Sequence, residues 1–308
     1  MSMASTDALV LERSANPNEP SHSRIYWLLT LMVFFWSLNY VMGKIALREL
    51  PPVLLATFRT AIAGVVILPL YLLRRRHASK WNFREGLLLL VLGVGGVALN
   101  QVFFVLGLSR TSVAHSAILI GLTPVQVLLL AAITGQEKLT WRKVVGLVVA
   151  LAGVGVLQLT HESARGPSIL GDVFILLCGL SLAVYTVFGK EVSARHDAIT
   201  MNTFAYVGGA IVLSPAIVWN ARHFDFTAVS ASAWLSVAYM AVFSSVVSYL
   251  IYNYALSRIA ASRVSAFSYL QPVFASIMGV AFLGESLGAP VIAGGAVILT
   301  GVYLAERG

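Results

Sequence analysis

Charge is scarce in this sequence. Of 308 residues only 11% are Asp, Glu, Lys or Arg, while 58% are hydrophobic, and the mean hydropathy is +0.84. A soluble globular domain carries about 25% charged and 45–50% apolar residues. The deficit excludes an ordinary soluble enzyme, a disordered chain and a fibrous one. It leaves a polytopic membrane protein, for which lipid is the main solvent. Cysteine is nearly absent as well. Cys178 is the one thiol, so no intrachain disulfide can form, and its apolar neighbours mark it as a packing residue. There is no His-Glu-x-x-His, no cysteine pair and no Walker loop, so no catalytic residue, metal or cofactor is expected. Gly93-Val94-Gly95-Gly96 resembles a dinucleotide turn only superficially, because it lies inside an apolar run with no strand before it. No loop is long enough to hold a nucleotide-driven motor. The chain is not expected to be an enzyme.

Long apolar runs are what the sequence does have. A helical crossing needs about 20 mostly apolar residues. Ten runs qualify, at 25–47, 53–73, 84–107, 112–134, 141–159, 169–190, 199–219, 231–256, 262–283 and 288–305. Turn and charge signals separate them, among them Pro51-Pro52, Arg74-Arg75-Arg76, Gly135-Gln136-Glu137 and Gly166-Pro167. Residues 1–24 are polar and read as a flexible cytoplasmic tail. If both termini are cytoplasmic, fifteen of the 21 Lys and Arg fall on that side and five on the other, with Arg59 inside a helix. That bias sets the orientation and explains the net charge of +8 without a nucleic-acid partner. The expected location is the cytoplasmic (inner) membrane.

The two halves match. A shift of 146 places Gly43-Lys44 on Gly189-Lys190 and Thr57-Phe58 on Thr203-Phe204. A shift of 148 places Leu108-Ser109-Arg110 on Leu256-Ser257-Arg258, Pro124 on Pro272 and Glu137 on Glu285. The expected units are 25–160 and 161–308, five helices each. Five is odd, so the second copy enters from the opposite face of the bilayer. Inverted repeats of this kind mark transporters, with a site near the midplane at the repeat interface. The expected fold is therefore an all-α integral membrane protein of ten transmembrane helices in two inverted five-helix repeats.

Several short motifs carry a resemblance. They are Trp36-Ser37-Leu38-Asn39-Tyr40 with Lys44, Phe58-Arg59-Thr60, the Leu-Ser-Arg turn, Pro124 and Pro272, Gly135-x-Glu137, and Gly284-Glu285. In their order and duplication the chain resembles the EamA-type family of the drug/metabolite transporter superfamily, over about 25–305. The resemblance implies ten-helix carriers that export or import small metabolites, amino acids prominent among them. The second repeat departs from the first at two places: Leu182 stands opposite Trp36, and Ala205 opposite Arg59. The halves are expected to line the site unequally.

A polar side chain in hydrocarbon must find a partner or line a cavity. Trp36, Asn39 or Tyr40, and Gly43 share one helix face. Asn100 and Gln101 interrupt an apolar run, and their repeat mates are Ser248 and Tyr249. Tyr252, His115, Tyr185, Tyr269 and Gln271 complete the expected substrate-binding set. For Asn100, Gln101 and His115, helix-to-helix bonding is an equal alternative. Pro124 and Pro272 each remove a backbone donor and are read as kinks, with a hinge role open beside it. Arg59 is read mainly as a structural anchor, with recruitment of a carboxylate as the functional alternative. Gly-rich runs in the fifth and tenth helices read as packing or dimer surfaces.

The leading expectation is a secondary transporter, an exporter or facilitator of small organic solutes that are first of all amino acids. It would work by alternating access in the lipid bilayer, as a monomer or homodimer. A drug or nucleoside-type carrier, or a non-transporting scaffold of the same fold, is the alternative. All thirteen acids fall in the tail, in loops or near helix ends. The expectation is transport that needs no ion gradient, with His115 as the one possible relay.

Overall fold

In a bilayer every backbone N–H and C=O must be satisfied inside the chain, and a helix does so within one segment. The computed structural model describes residues 22–74, 82–136, 138–157, 168–222, 224–259 and 261–307. Among them the chain is helical, with no strand. We label the long helices α1 (His22–Ala46), α2 (Pro52–Arg74), α3 (Phe83–Leu108), α4 (Val113–Ile133), α5 (Trp141–Leu157), α6 (Ile169–Arg195), α7 (Ala198–Ala221), α8 (Ala231–Leu256), α9 (Arg263–Leu283) and α10 (Ala289–Arg307). Eight are long and apolar enough to cross a membrane by themselves. The other two are shorter: α5 has 17 residues, roughly 26 Å of rise, and the apolar part of α10 is Ala289–Gly301. These are the ten expected runs. The expected tail lies outside the described residues up to 21, and α1 already includes 22–24.

The helices pack as an inverted duplication requires. The equivalent helices α2 and α7 pack against each other, as do α4 with α9 and α5 with α10. The contact of α1 with α8 has its mate in that of α6 with α3, and α1 with α9 has its mate in α6 with α4. The glycines of α5 and α10 are used inside the chain: a Cβ on Gly153 would lie 2.6 Å from the Ile298 nitrogen, and one on Gly301 would strike the Ala150 backbone. Close approach of these two helices depends on the missing side chains.

Internal irregularities repeat too. The π-helical turns Val94–Ala98 in α3 and Met240–Val247 in α8 occupy equivalent positions. Each adds a residue to a turn and re-aims the side chains that follow. Helix α4 breaks at Gly121-Leu122, and Pro124 begins its second segment, where a missing N–H costs nothing. In α9 a 3-10 turn at Phe267–Tyr269 precedes the segment that carries Gln271 and Pro272. The two prolines therefore follow breaks; they do not kink a continuous helix. Gly135 and Gly284 end α4 and α9 with φ of +74° and +66°, a conformation that other residues rarely take. It lets the amides of Gln136 and Glu285 reach back to the Ala131 and Gly279 carbonyls at 2.8 and 3.2 Å.

Side chains tie the loops at the end of the bundle opposite the start of α1. Glu49, in the α1–α2 loop, accepts from the Ser230 N–H at 2.6 Å and its hydroxyl at 2.7 Å. Those donors hold the Glu49 carboxyl below the ordinary carboxylate range. Glu285 accepts from the Val113 and Ala114 amides at the start of α4, at 2.8 and 3.3 Å. Its mate Glu137 lies outside the described residues.

Candidate functional site

The repeats leave a small polar cavity between them. It is lined from α1 by Trp36, Asn39 and Tyr40, from α2 by Arg59, and from α3 by Asn100, Gln101 and Phe104. Ile120 of α4, Cys178 and Leu182 of α6, Tyr249 of α8 and Gln271 of α9 complete it. All twelve residues are buried. The water-sized space inside is about 50 Å³, room for roughly three to five water molecules. Aromatic rings pack at two places along its lining. At one the Tyr40 ring meets Phe104 edge-on at 5.0 Å, and the Tyr40 hydroxyl donates to Gln271 Oε1 at 3.3 Å. At the other, Trp36 packs on Tyr249 and Tyr252 at 5.7 and 5.8 Å.

Most of the polar groups here are engaged with one another. Trp36 Nε1 donates to the Ser244 carbonyl in the π turn of α8 at 3.0 Å. Asn100 donates to the Cys178 carbonyl at 2.8 Å and accepts from the Tyr249 hydroxyl at 3.2 Å. Gln101 reaches the Tyr206 hydroxyl at 3.4 Å.

Arg59 stands apart. It is 2% exposed, so it does not snorkel. Its Nε donates to Ser245 Oγ at 3.0 Å, and Ser245 donates in turn to the Met240 carbonyl five residues back. The guanidinium lies 5.8 Å from the Phe104 ring centroid. Its Nη1 is buried with no hydrogen-bond partner, and so is Asn39 Oδ1 in the same cavity. The sequence left Arg59 to reach the interface or to pair inside the protein, and here it pairs with Ser245.

Of the expected substrate-binding residues, Trp36, Asn39, Asn100, Gln101, Tyr249 and Gln271 meet in the cavity. Four are engaged elsewhere. Tyr185 donates to Asn253 Oδ1 at 2.9 Å, and Asn253 bonds Asn202 at 3.0 Å, joining α6, α8 and α7. Tyr252 bonds the Thr186 hydroxyl. Ser248 donates to the Phe243 carbonyl of its own helix at 2.8 Å. His115 Nε2 lies 2.9 Å from Asp172 Oδ1 and ties α4 to α6, both side chains being buried. The side chain of Tyr269 lies outside those described. The sequence reading passed over Phe104, Ile120 and Leu182 as lining, and Asp172 as a partner. Only Asp172 had a signal, as the acid of the first turn of α6. Cys178 packs as expected, yet also lines the cavity. Among the described residues no group of His, Cys, Asp and Glu could hold a metal ion.

Fold and cavity together define a class: a multi-pass helical membrane protein whose two repeats enclose a central polar site. The model of the EamA-like transporter family matches this chain twice, over residues 23–159 and 169–306. The chain belongs to that family and is a membrane transporter. It is 31% identical over 284 residues to an uncharacterized transporter of Archaeoglobus fulgidus, covering 91% of this chain and 98% of the relative. It is 26% identical over 289 residues to a protein of Streptantibioticus cattleyicolor named "Probable terminal-alkyne amino-acid exporter", covering 92% and 94%. A crystal structure that is 20% identical shares the fold with a TM-score of 0.67, covering 92% of this chain and 97% of the other.

Proposed function

We propose that the protein is a secondary carrier that exports small organic metabolites, amino acids first among them, across the cytoplasmic membrane. The two repeats rock about the central cavity and expose it to one side at a time, with both termini cytoplasmic. The observation that carries this reading is the cavity itself: a buried site of mixed polar and aromatic lining between the two repeats. Such a lining suits a solute with polar groups at one end and an apolar or flat part at the other. The name of the Streptantibioticus relative supports an amino-acid cargo. Transport is downhill and needs no ion gradient.

The test is counterflow of labelled solutes into proteoliposomes, over the amino acids, nucleosides and cationic drugs. Saturable exchange of amino acids is expected. Trp36→Ala, Gln101→Ala and Tyr249→Ala should each lower it by about 10-fold, the worth of one good contact. Val148→Ala, on the exposed face of α5, should leave it unchanged. Equal losses in both groups would contradict the cavity assignment. Saturable exchange of nucleosides or drugs alone would transfer the reading to that class.

A further inference from the structure

We infer that Arg59 is the carboxylate-binding residue of the cavity, so that the cargo is a solute with a free carboxylate. The inference rests on the proposed transport role and narrows its substrate class. A guanidinium has five N–H donors and no acceptor. Here one of them, on Nε, reaches Ser245, while Nη1 is buried without a partner. Burial of a cation in a membrane protein is costly unless a counter-charge or a water-filled space compensates it. No ion pair involves Arg59 among the described residues. The titratable groups that face it are two phenols and a thiol, on Tyr206, Tyr249 and Cys178.

The geometry of the chain keeps this cation in place. The π turn of α8 holds Ser245 against Nε, and the Phe104 ring lies 5.8 Å from the guanidinium carbon. Arg59 and Asn39, each with one buried atom that has no partner, both line the cavity. A carboxylate can accept two parallel N–H bonds from one guanidinium. An ammonium on the same solute can donate to Asn39 Oδ1. Both unmet groups are then satisfied by a zwitterion, and Trp36, Leu182 and Ile120 are left for its side chain.

The experiment compares each amino acid with its amide and its decarboxylated amine. Counterflow and the rise in melting temperature of the purified protein are both recorded. In the wild type the amide and the amine should be carried about 10- to 100-fold less well than the acid, as expected for a lost charged hydrogen bond. They should give no thermal protection. Arg59→Gln should abolish that discrimination, and Arg59→Lys should restore part of it. Wild-type protein that carries acid, amide and amine equally overturns the inference, whether or not the variants fold. If the wild type carries none of them, the reading of amino acids as cargo fails. The carboxylate site then stands only if acids, and not amides, still raise the melting temperature. Protection by phosphate or a sulfonate but by no carboxylate would also overturn it.

A separate observation carries a second inference. Lys190 Nζ donates to the Leu256 carbonyl and, at 2.6 Å, to the Ile259 carbonyl, where α8 ends. Repeat symmetry pairs Lys190 with Lys44, Leu256 with Leu108 and Ile259 with Thr111. Lys44 makes no such bond among the described residues. It lines an open recess of about 650 Å³ with Arg48, Ser109, Arg110 and Glu285. We propose that the two lysines are alternating latches. Lys190 closes the end where α1 begins in this conformation, and Lys44 closes the opposite end on the Leu108 and Thr111 carbonyls in the other. This rests on alternating access. Cys178, the sole thiol and a cavity residue, reports it. Lys190→Gln should raise the rate at which a membrane-impermeant thiosulfonate reaches Cys178 from the side of the termini, by about 10-fold. Lys44→Gln should lower it. Shifts of the same sign, or none, in protein that still carries solute overturn the latch alone.

Discussion

Arg59 and His115 show how one residue type acquires its role from its neighbours. Both are cationic or potentially cationic side chains in apolar helices. His115 has a buried carboxylate at 2.9 Å, whereas Arg59 has one hydroxyl and lines the buried cavity. The first is a close contact between two protein side chains and is structural. The second is incomplete without a ligand. Removing the imidazole in His115→Ala deprives Asp172 of that partner and leaves a void. The expected loss is about 1–3 kcal/mol of stability, seen as a lower melting temperature, and His115→Gln should recover part of it. The same pair bears on coupling, because it sets an imidazole against a carboxylate inside the helices. Flux in proteoliposomes should be the same with and without an imposed pH or sodium gradient at equal solute gradients. Uphill accumulation driven by protons and lost in His115→Gln would make the pair a relay.

At the scale of the element, the π turn of α3 lies where that helix crosses α6 and α7. Three glycines there have different surroundings. A Cβ on Gly93 would lie 2.5 Å from the Ala205 Cα, which is backbone and cannot give way. One on Gly96 would run into the Tyr185 side chain. One on Gly95 would meet nothing within 4 Å. Gly93→Ala should therefore cost about 1–3 kcal/mol through overpacking. Gly95→Ala should be neutral or stabilise by up to about 1 kcal/mol, the difference in helix propensity. Thermal melts of the two variants in detergent decide this, and equal effects would contradict the packing described for α3. The π turn of α8 shows its use more directly: it presents the Ser244 carbonyl to Trp36 and the Ser245 hydroxyl to Arg59.

For the whole molecule, alternate crossing puts five loops at one end and both termini at the other, and the ties Glu49–Ser230 and Glu285–Val113 join loops of the first group. In the proposed orientation the termini are cytoplasmic. A single cysteine near Arg75, with Cys178 replaced, should be protected from an impermeant thiol reagent in intact cells. One near Arg165 should be labelled. The reverse pattern would invert the topology.

Hydropathy, spacing and repeated motifs were enough to establish ten helices, their duplication, the family and the absence of a soluble fold. These are properties of segments, and an 18-residue apolar run has few alternatives in lipid. Polar and aromatic residues inside apolar runs also pointed to Trp36, Asn100, Gln101, Tyr249 and Gln271, since a polar residue in such a run must face protein or water. What each of those residues faces was decided by packing. Helix rotation and the two π turns put Tyr185 and Tyr252 onto neighbouring helices and Ser248 onto its own backbone, and not into the cavity. They also gave His115 its carboxylate from a helix 50 and more positions along the chain, and left Arg59 without one. A one-residue change in a helical turn swings the next side chains by about 100°, and nothing in the local pattern of hydrophobicity records it. The chemistry of the cavity therefore belongs to the tertiary structure, because a charge is an anchor or a binding group according to which atoms surround it.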